Sequence, residues 1–151
     1  MGDRRTFSMA QPILVTEAAL DSAGIRLEAL DPRAGAVVLF EGCARDHHAG
    51  RPVELLAYEA FVPMAEAELG KIREEAMARF GLVRCLVHHR LGPVPLTEAA
   101  VVVATAAGHR QEAFAAAAWI MDRIKEHVPI WKREHYQDGA RNWVEGAERL
   151  D

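Results

Sequence analysis

Apolar positions along this chain follow two patterns. Runs rich in Val, Leu and Ala predict strands over residues 12–18, 36–46, 53–60, 82–92 and 98–108. Apolar residues three and four apart predict helices. Ala65, Leu69, Ile72, Ala76 and Phe80 form one such stripe, with Glu66, Glu68, Lys71, Glu74 and Glu75 off it. Pro63 suits the first turn of that helix and Gly81 its C-terminal cap. A shorter helix is expected over 20–30, with Asp21 or Ser22 as N-cap, and a long one over 109–128, stopped by Pro129. Residues 130–136 read as a last strand, 137–142 as a turn and 143–146 as a short terminal element. The polar loop DHHAGRP suggests that the strands on either side of it pair as a hairpin. Strands that directly follow strands predict an α+β fold with a mainly antiparallel sheet and packed helices.

Composition narrows the class. At 151 residues the chain reads as one domain over 12–146, with a flexible polar leader at 1–11 and a tail at 147–151. A net charge of −4 gives no general attraction to nucleic acid or anionic membrane, so an anion site must be local. No apolar run approaches the ~20 residues of a membrane span. Cys43 and Cys85 have no metal-binding or disulfide-framework spacing, which suits a reduced, cytoplasmic setting.

Several chemistries find no support. Dinucleotide, P-loop, nucleophile-elbow and HExxH motifs are absent, and serine occurs only at Ser8 and Ser22. Asp46, His47 and His48 are the DHH triplet of some metal phosphoesterases, but the further acidic motifs such enzymes need are missing. His88 and His89 are neighbours in a strand and point to opposite faces, so they cannot both ligate one ion. The histidines read better as solvated loop and surface residues, and Cys43 as a buried, inert thiol. No metal and no cofactor is expected.

The sharpest signal is the stretch RIKEHVPIWKREHY. Fifteen of the 18 basic residues are Arg; the three lysines are Lys71, Lys125 and Lys132, so two fall here, on either side of Pro129. From Arg123 to Arg133, four cations (Arg123, Lys125, Lys132 and Arg133) stand against a single anion, Glu126. A solvated basic face at a helix end explains such a run equally simply. Two details favour a site. Phe114, Ala118, Met121 and Lys125 share helical spacing, which would place Lys125 on an apolar face. Ile130, Lys132, Glu134 and Tyr136 share one face of the following strand, so Lys132 and Glu134 can pair. Arginine stays protonated, whereas lysine can exchange a proton or attack a carbonyl. A second anion site is expected where Gly108, His109 and Arg110 open the long helix. His109 and Lys125 are roughly 24 Å apart along that helix, so a ligand shared by both ends requires two subunits.

Taken together, GAVVLFEGCARDHHAGRPVELLAYEAF, HRLGPVPLTEAAVVVATAAGHRQEAFAAAAWIMDRIKEHVPIWKREHY and WVEG resemble the large, catalytic subunit of molybdopterin synthase. The resemblance covers nearly all of residues 12–146 and implies an α/β-hammerhead type of fold. It implies a sulfurtransferase of molybdenum cofactor biosynthesis. Two sulfurs, carried as the C-terminal thiocarboxylate of a small ubiquitin-like protein ending in Gly-Gly, are added to cyclic pyranopterin monophosphate. It also implies a homodimer within a heterotetramer. By position, Lys125 and Lys132 match the family's active-site lysines. Arg45, His109 and Arg110 match residues that bind the anionic substrate, and Phe40, Met121 and Glu134 match residues that line or support the pocket. Cys43 and the second histidine, His48, fall where other members vary. The alternative is a non-catalytic module whose basic stretch docks an acidic protein tail.

Overall fold

A computed structural model of the chain describes residues 11–144. Its strands are β1 (Ile13–Thr16), β2 (Ala36–Cys43), β3 (His47–His48), β4 (Arg51–Ala60), β5 (Arg84–Arg90), β6 (Gly92–Pro95), β7 (Ala99–Ala107), β8 (Ile130–Tyr136) and β9 (Arg141–Val144). The helices are α1 (Ser22–Ala29), α2 (Val62–Phe80) and α3 (Arg110–His127). The leader and tail expected from the sequence lie, Gln11 apart, outside the described residues, as does the end of the terminal element.

The expected α+β architecture is present, but it holds two sheets. The first has the order β1-β5-β7-β2, and the second β3-β4-β8-β9 with β6 also on β4. Only the β1–β5 pairing is parallel among these ladders. Helices cover both faces of the first sheet. Val101, Val103 and Ala107 of β7 pack with Ala65, Leu69 and Ile72 of α2 and Ala113, Ala116 and Ile120 of α3. Val102 and Ala104 point the other way, onto Ile25 and Ala29 of α1. That double burial is why β7 reads as an unbroken apolar run rather than an alternating one.

Helix signals match the sequence reading closely. The Asp21 carboxylate caps α1 by accepting from the Gly24 N–H (3.0 Å), and Gly81 ends α2 with φ 63°. Ala113, Ala116 and Ala117 of α3 are buried, and these small side chains let α3 lie close against α2. At its C-terminus Val128 is extended (φ −88°, ψ 129°), as a residue before proline must be, and β8 begins two residues later.

One pairing differs. β2 does not form a hairpin with β4; it pairs antiparallel with β7, Ala36 opposite Ala107 through Phe40 opposite Val103. The hairpin is confined to its tip, with His47 opposite Pro52 and His48 opposite Arg51. Its two linking residues, Ala49 (φ 51°) and Gly50 (φ 78°), both have the positive φ that a type I′ turn demands. The chain leaves the first sheet at Cys43 and enters the second at His47, so the Ala44–Asp46 crossing joins the sheets.

Candidate active site

Where the two sheets meet, Phe40, Gly42, Cys43, Arg45, His48, Lys132 and Glu134 line a cavity of about 200 Å³. β2 supplies Phe40. Its ring lies beside Gly42, where an added Cβ would stand 2.7 Å from Val101 Cγ1 and 3.4 Å from the Phe40 ring, so glycine keeps this wall open. β8 supplies Lys132 and Glu134 from its inward face, opposite Tyr58 and Leu56 of β4. Trp131 points the other way and is exposed, as the strand alternation predicts.

Glu134 is the electrostatic centre. Its side chain is 1% exposed, and Lys132 Nζ lies 3.9 Å from its Oε1. His48 Nδ1 approaches the same oxygen at 3.4 Å. The other oxygen, Oε2, is buried with no hydrogen-bond partner among the described residues. Burial pushes the Tyr136 phenol up, and the neighbouring Glu134 carboxylate adds to the effect. The same two causes raise Tyr58 strongly. Both phenols therefore stay neutral beside the carboxylate.

Not every expected site residue reaches this cavity. Phe40, Arg45, Lys132 and Glu134 do. Lys125 and Met121 sit near the C-terminal end of α3, half-buried and buried respectively, outside its lining. His109, the N-cap of α3, and Arg110 are exposed at the opposite end of that helix. The apolar face assigned to Lys125 also needs correction. The buried stripe of α3 is Ala113, Ala116, Ala117, Ile120, Met121 and Ile124, while Phe114 is 63% exposed and Ala118 is exposed too. The line from Phe114 to Lys125 thus starts on the outward face and joins the core stripe only at Met121, with Lys125 half-buried.

The histidines also depart from expectation. His88 and His89 are buried, not solvated, because both faces of β5 are covered. His88 Nε2 meets the Gln11 carbonyl oxygen (2.7 Å) and His89 Nδ1 that of Arg90 (2.8 Å). Burial pushes His89 down to about 4, and its ring packs edge-on against Tyr58 at 5.0 Å. Cys43, expected to be buried, is exposed at the cavity, and desolvation followed by the Glu41 charge pushes its thiol up. Sequence reasoning passed over His48 as a loop residue. The signal that could have found it is the two-residue Ala-Gly turn, which makes His48 a strand residue. Among the described residues, no three His, Cys, Asp or Glu side chains converge as a metal site, and no helix is long and apolar enough to cross a membrane.

Comparison with known proteins agrees with the sequence resemblance. The family model described as MoaE protein matches residues 15–127. A molybdopterin synthase catalytic subunit from Emericella nidulans is 46% identical over 118 residues, 78% of this chain and 60% of that protein. One from Pyrococcus abyssi is 46% identical over 116 residues, 77% of this chain and 78% of that protein. This chain therefore spans less than two thirds of the fungal relative's length but most of the archaeal one's. Among solved structures, molybdopterin synthase from Staphylococcus aureus superposes with a TM-score of 0.84 at 32% identity, covering 89% of this chain and 98% of that one.

Proposed function

Since this chain belongs to the MoaE protein family, we propose that it is the sulfur-transferring large subunit of a molybdopterin synthase. It converts cyclic pyranopterin monophosphate to molybdopterin, adding two sulfurs from the C-terminal thiocarboxylate of a small ubiquitin-like carrier. The observation that carries this reading is the meeting of Arg45, Lys132 and Phe40 over the buried Glu134. Both ligands are anionic, one through phosphate and one through thiocarboxylate. Arg45 and Lys132 at this cavity are cations that such ligands can pair with in a chain of net charge −4.

In this account Lys125 is the main catalytic amine. It exchanges a proton with the pterin side chain or transiently accepts the carrier's acyl group. Lys132 holds and polarises the same centre, and Glu134 orients Lys132. Met121 supports the pocket from α3. Arg45 binds phosphate or pterin. His109 and Arg110 do so from a second copy of the chain, because they lie at the far end of α3 from Lys125. The working assembly is a homodimer of this chain flanked by two carriers, placed in the cytoplasm, with no nucleic acid or membrane involved.

The test is to incubate the purified chain with thiocarboxylated carrier and cyclic pyranopterin monophosphate. Formation of molybdopterin, undiminished by a chelator, is expected. Binding of the carrier with no product would instead identify a docking module.

A further inference from the structure

Glu134 has a second partner that the assigned chemistry does not use. From the geometry we infer that His48 is a positioning residue which, through Glu134, sets the charge and placement of Lys132. The inference rests on the proposed sulfur-transfer site and assigns that site a control element.

His48 is held firmly. It ends β3, its backbone is paired opposite Arg51, and the Val53 N–H donates to the Asp46 carbonyl (2.7 Å) just behind it. Arg51 is itself anchored, by Asp138 (3.0 Å) and by stacking 3.6 Å over the Tyr136 ring. From this hairpin the imidazole reaches Oε1 of Glu134, the same oxygen that Lys132 approaches. Exposure is graded along the line: Glu134 1%, Lys132 11%, His48 26%. His48 is therefore the member of the three in best contact with solvent.

The consequence follows from charge. One buried carboxylate faces two groups that can each be cationic. When His48 is neutral, Glu134 belongs to Lys132 and holds its proton in place. When His48 is an imidazolium, it shares the carboxylate, and Lys132 keeps its proton less tightly. An imidazole ordinarily changes charge between about pH 5 and 8, so the amine becomes responsive in a range where lysine alone is not.

The other charged groups around His48 do not reproduce this. Asp46 and His47 pair with each other at 2.9 Å on the exposed side. Arg51 is committed to Asp138, and Arg45 keeps its charge throughout. Across the cavity on β2 stand Glu41 and Cys43, whose thiol is pushed up, away from this range.

The experiment compares His48→Asn and His48→Ala with the native chain. Asparagine keeps a short donor toward Glu134 but cannot titrate. H48A should lower kcat roughly tenfold, the scale on which such supporting partners matter, with a smaller change in KM. H48N should recover part of the rate but lose the limb between about pH 5 and 8, a limb that His47→Asn retains. Native rates and an unchanged profile in H48A, or a retained limb in H48N, would overturn the inference. A second readout is independent of turnover. The NMR titration midpoint of the His48 ring should move in Glu134→Gln and in Lys132→Ala, and an unmoved midpoint in both sinks the coupling. If the native chain makes no molybdopterin, the functional reading fails, and the ring titration alone still decides the coupling.

Discussion

Glu134 shows what one buried carboxylate does for a basic site. Lys132 is nearly enclosed, and an ammonium in that position needs an anion beside it. Glu134→Gln keeps the shape and removes the charge. Sulfur transfer should fall by about 10- to 100-fold, measured as kcat at neutral pH, while the melting profile keeps its cooperative form. His89 makes a different prediction. Its folded value, about 4, lies below the ordinary 6.5, so the unfolded chain takes up the proton first. Its contribution is therefore complete above about pH 6.5 and is lost as pH falls toward 4. At roughly 1.4 kcal/mol per unit, a few kcal/mol disappear over that window. Urea unfolding at several pH values should show the decline, and His89→Phe should flatten much of it. His88 is lowered by burial too, so some slope remains. The sequence showed that these two histidines point to opposite faces. It did not show that both faces are covered, because that depends on helices distant in the chain.

Among the elements, those whose signals are local were legible in advance. The stripe of α2, its glycine cap, and the stop of α3 before Pro129 all follow from residues within a few positions of each other. The proline does what the sequence suggested: it ends the helix after Lys125 and starts the strand that carries Lys132 and Glu134 inward. Strand partners were not legible. β2 and β4 are neighbours in sequence, and each has an apolar face. Only tertiary packing decides that β2 joins β7 while β4 joins β8. The short hairpin between them is where the site gains a residue the sequence reading passed over. Gly50 has φ 78° and open space around its Cα, so a side chain there is opposed by backbone conformation alone. Gly50→Val should cost about 1–2 kcal/mol in chemical denaturation. It should also reduce activity more than that small loss of stability explains, because it displaces His48.

For the whole molecule, one chain does not carry every expected site residue around its cavity. Phe40, Arg45, Lys132 and Glu134 are together, whereas His109 and Arg110 open α3 at its opposite end. The linear distance along the helix was readable from spacing alone, and a ligand shared by both ends would already call for a second subunit. Chains bearing Lys132→Ala or Arg110→Ala should each be inactive alone. Unfolded together and refolded at equal ratio, half the dimers pair one of each and contain one intact site of two, giving about a quarter of native activity. No recovery would place both groups in a single-chain site. Whether the lysines around Pro129 perform sulfur transfer is decided by single-turnover conversion of cyclic pyranopterin monophosphate by Lys125→Ala. The expected result is a folded variant that binds thiocarboxylated carrier and forms no dithiolene; molybdopterin at near-native rate would remove Lys125 from the chemistry.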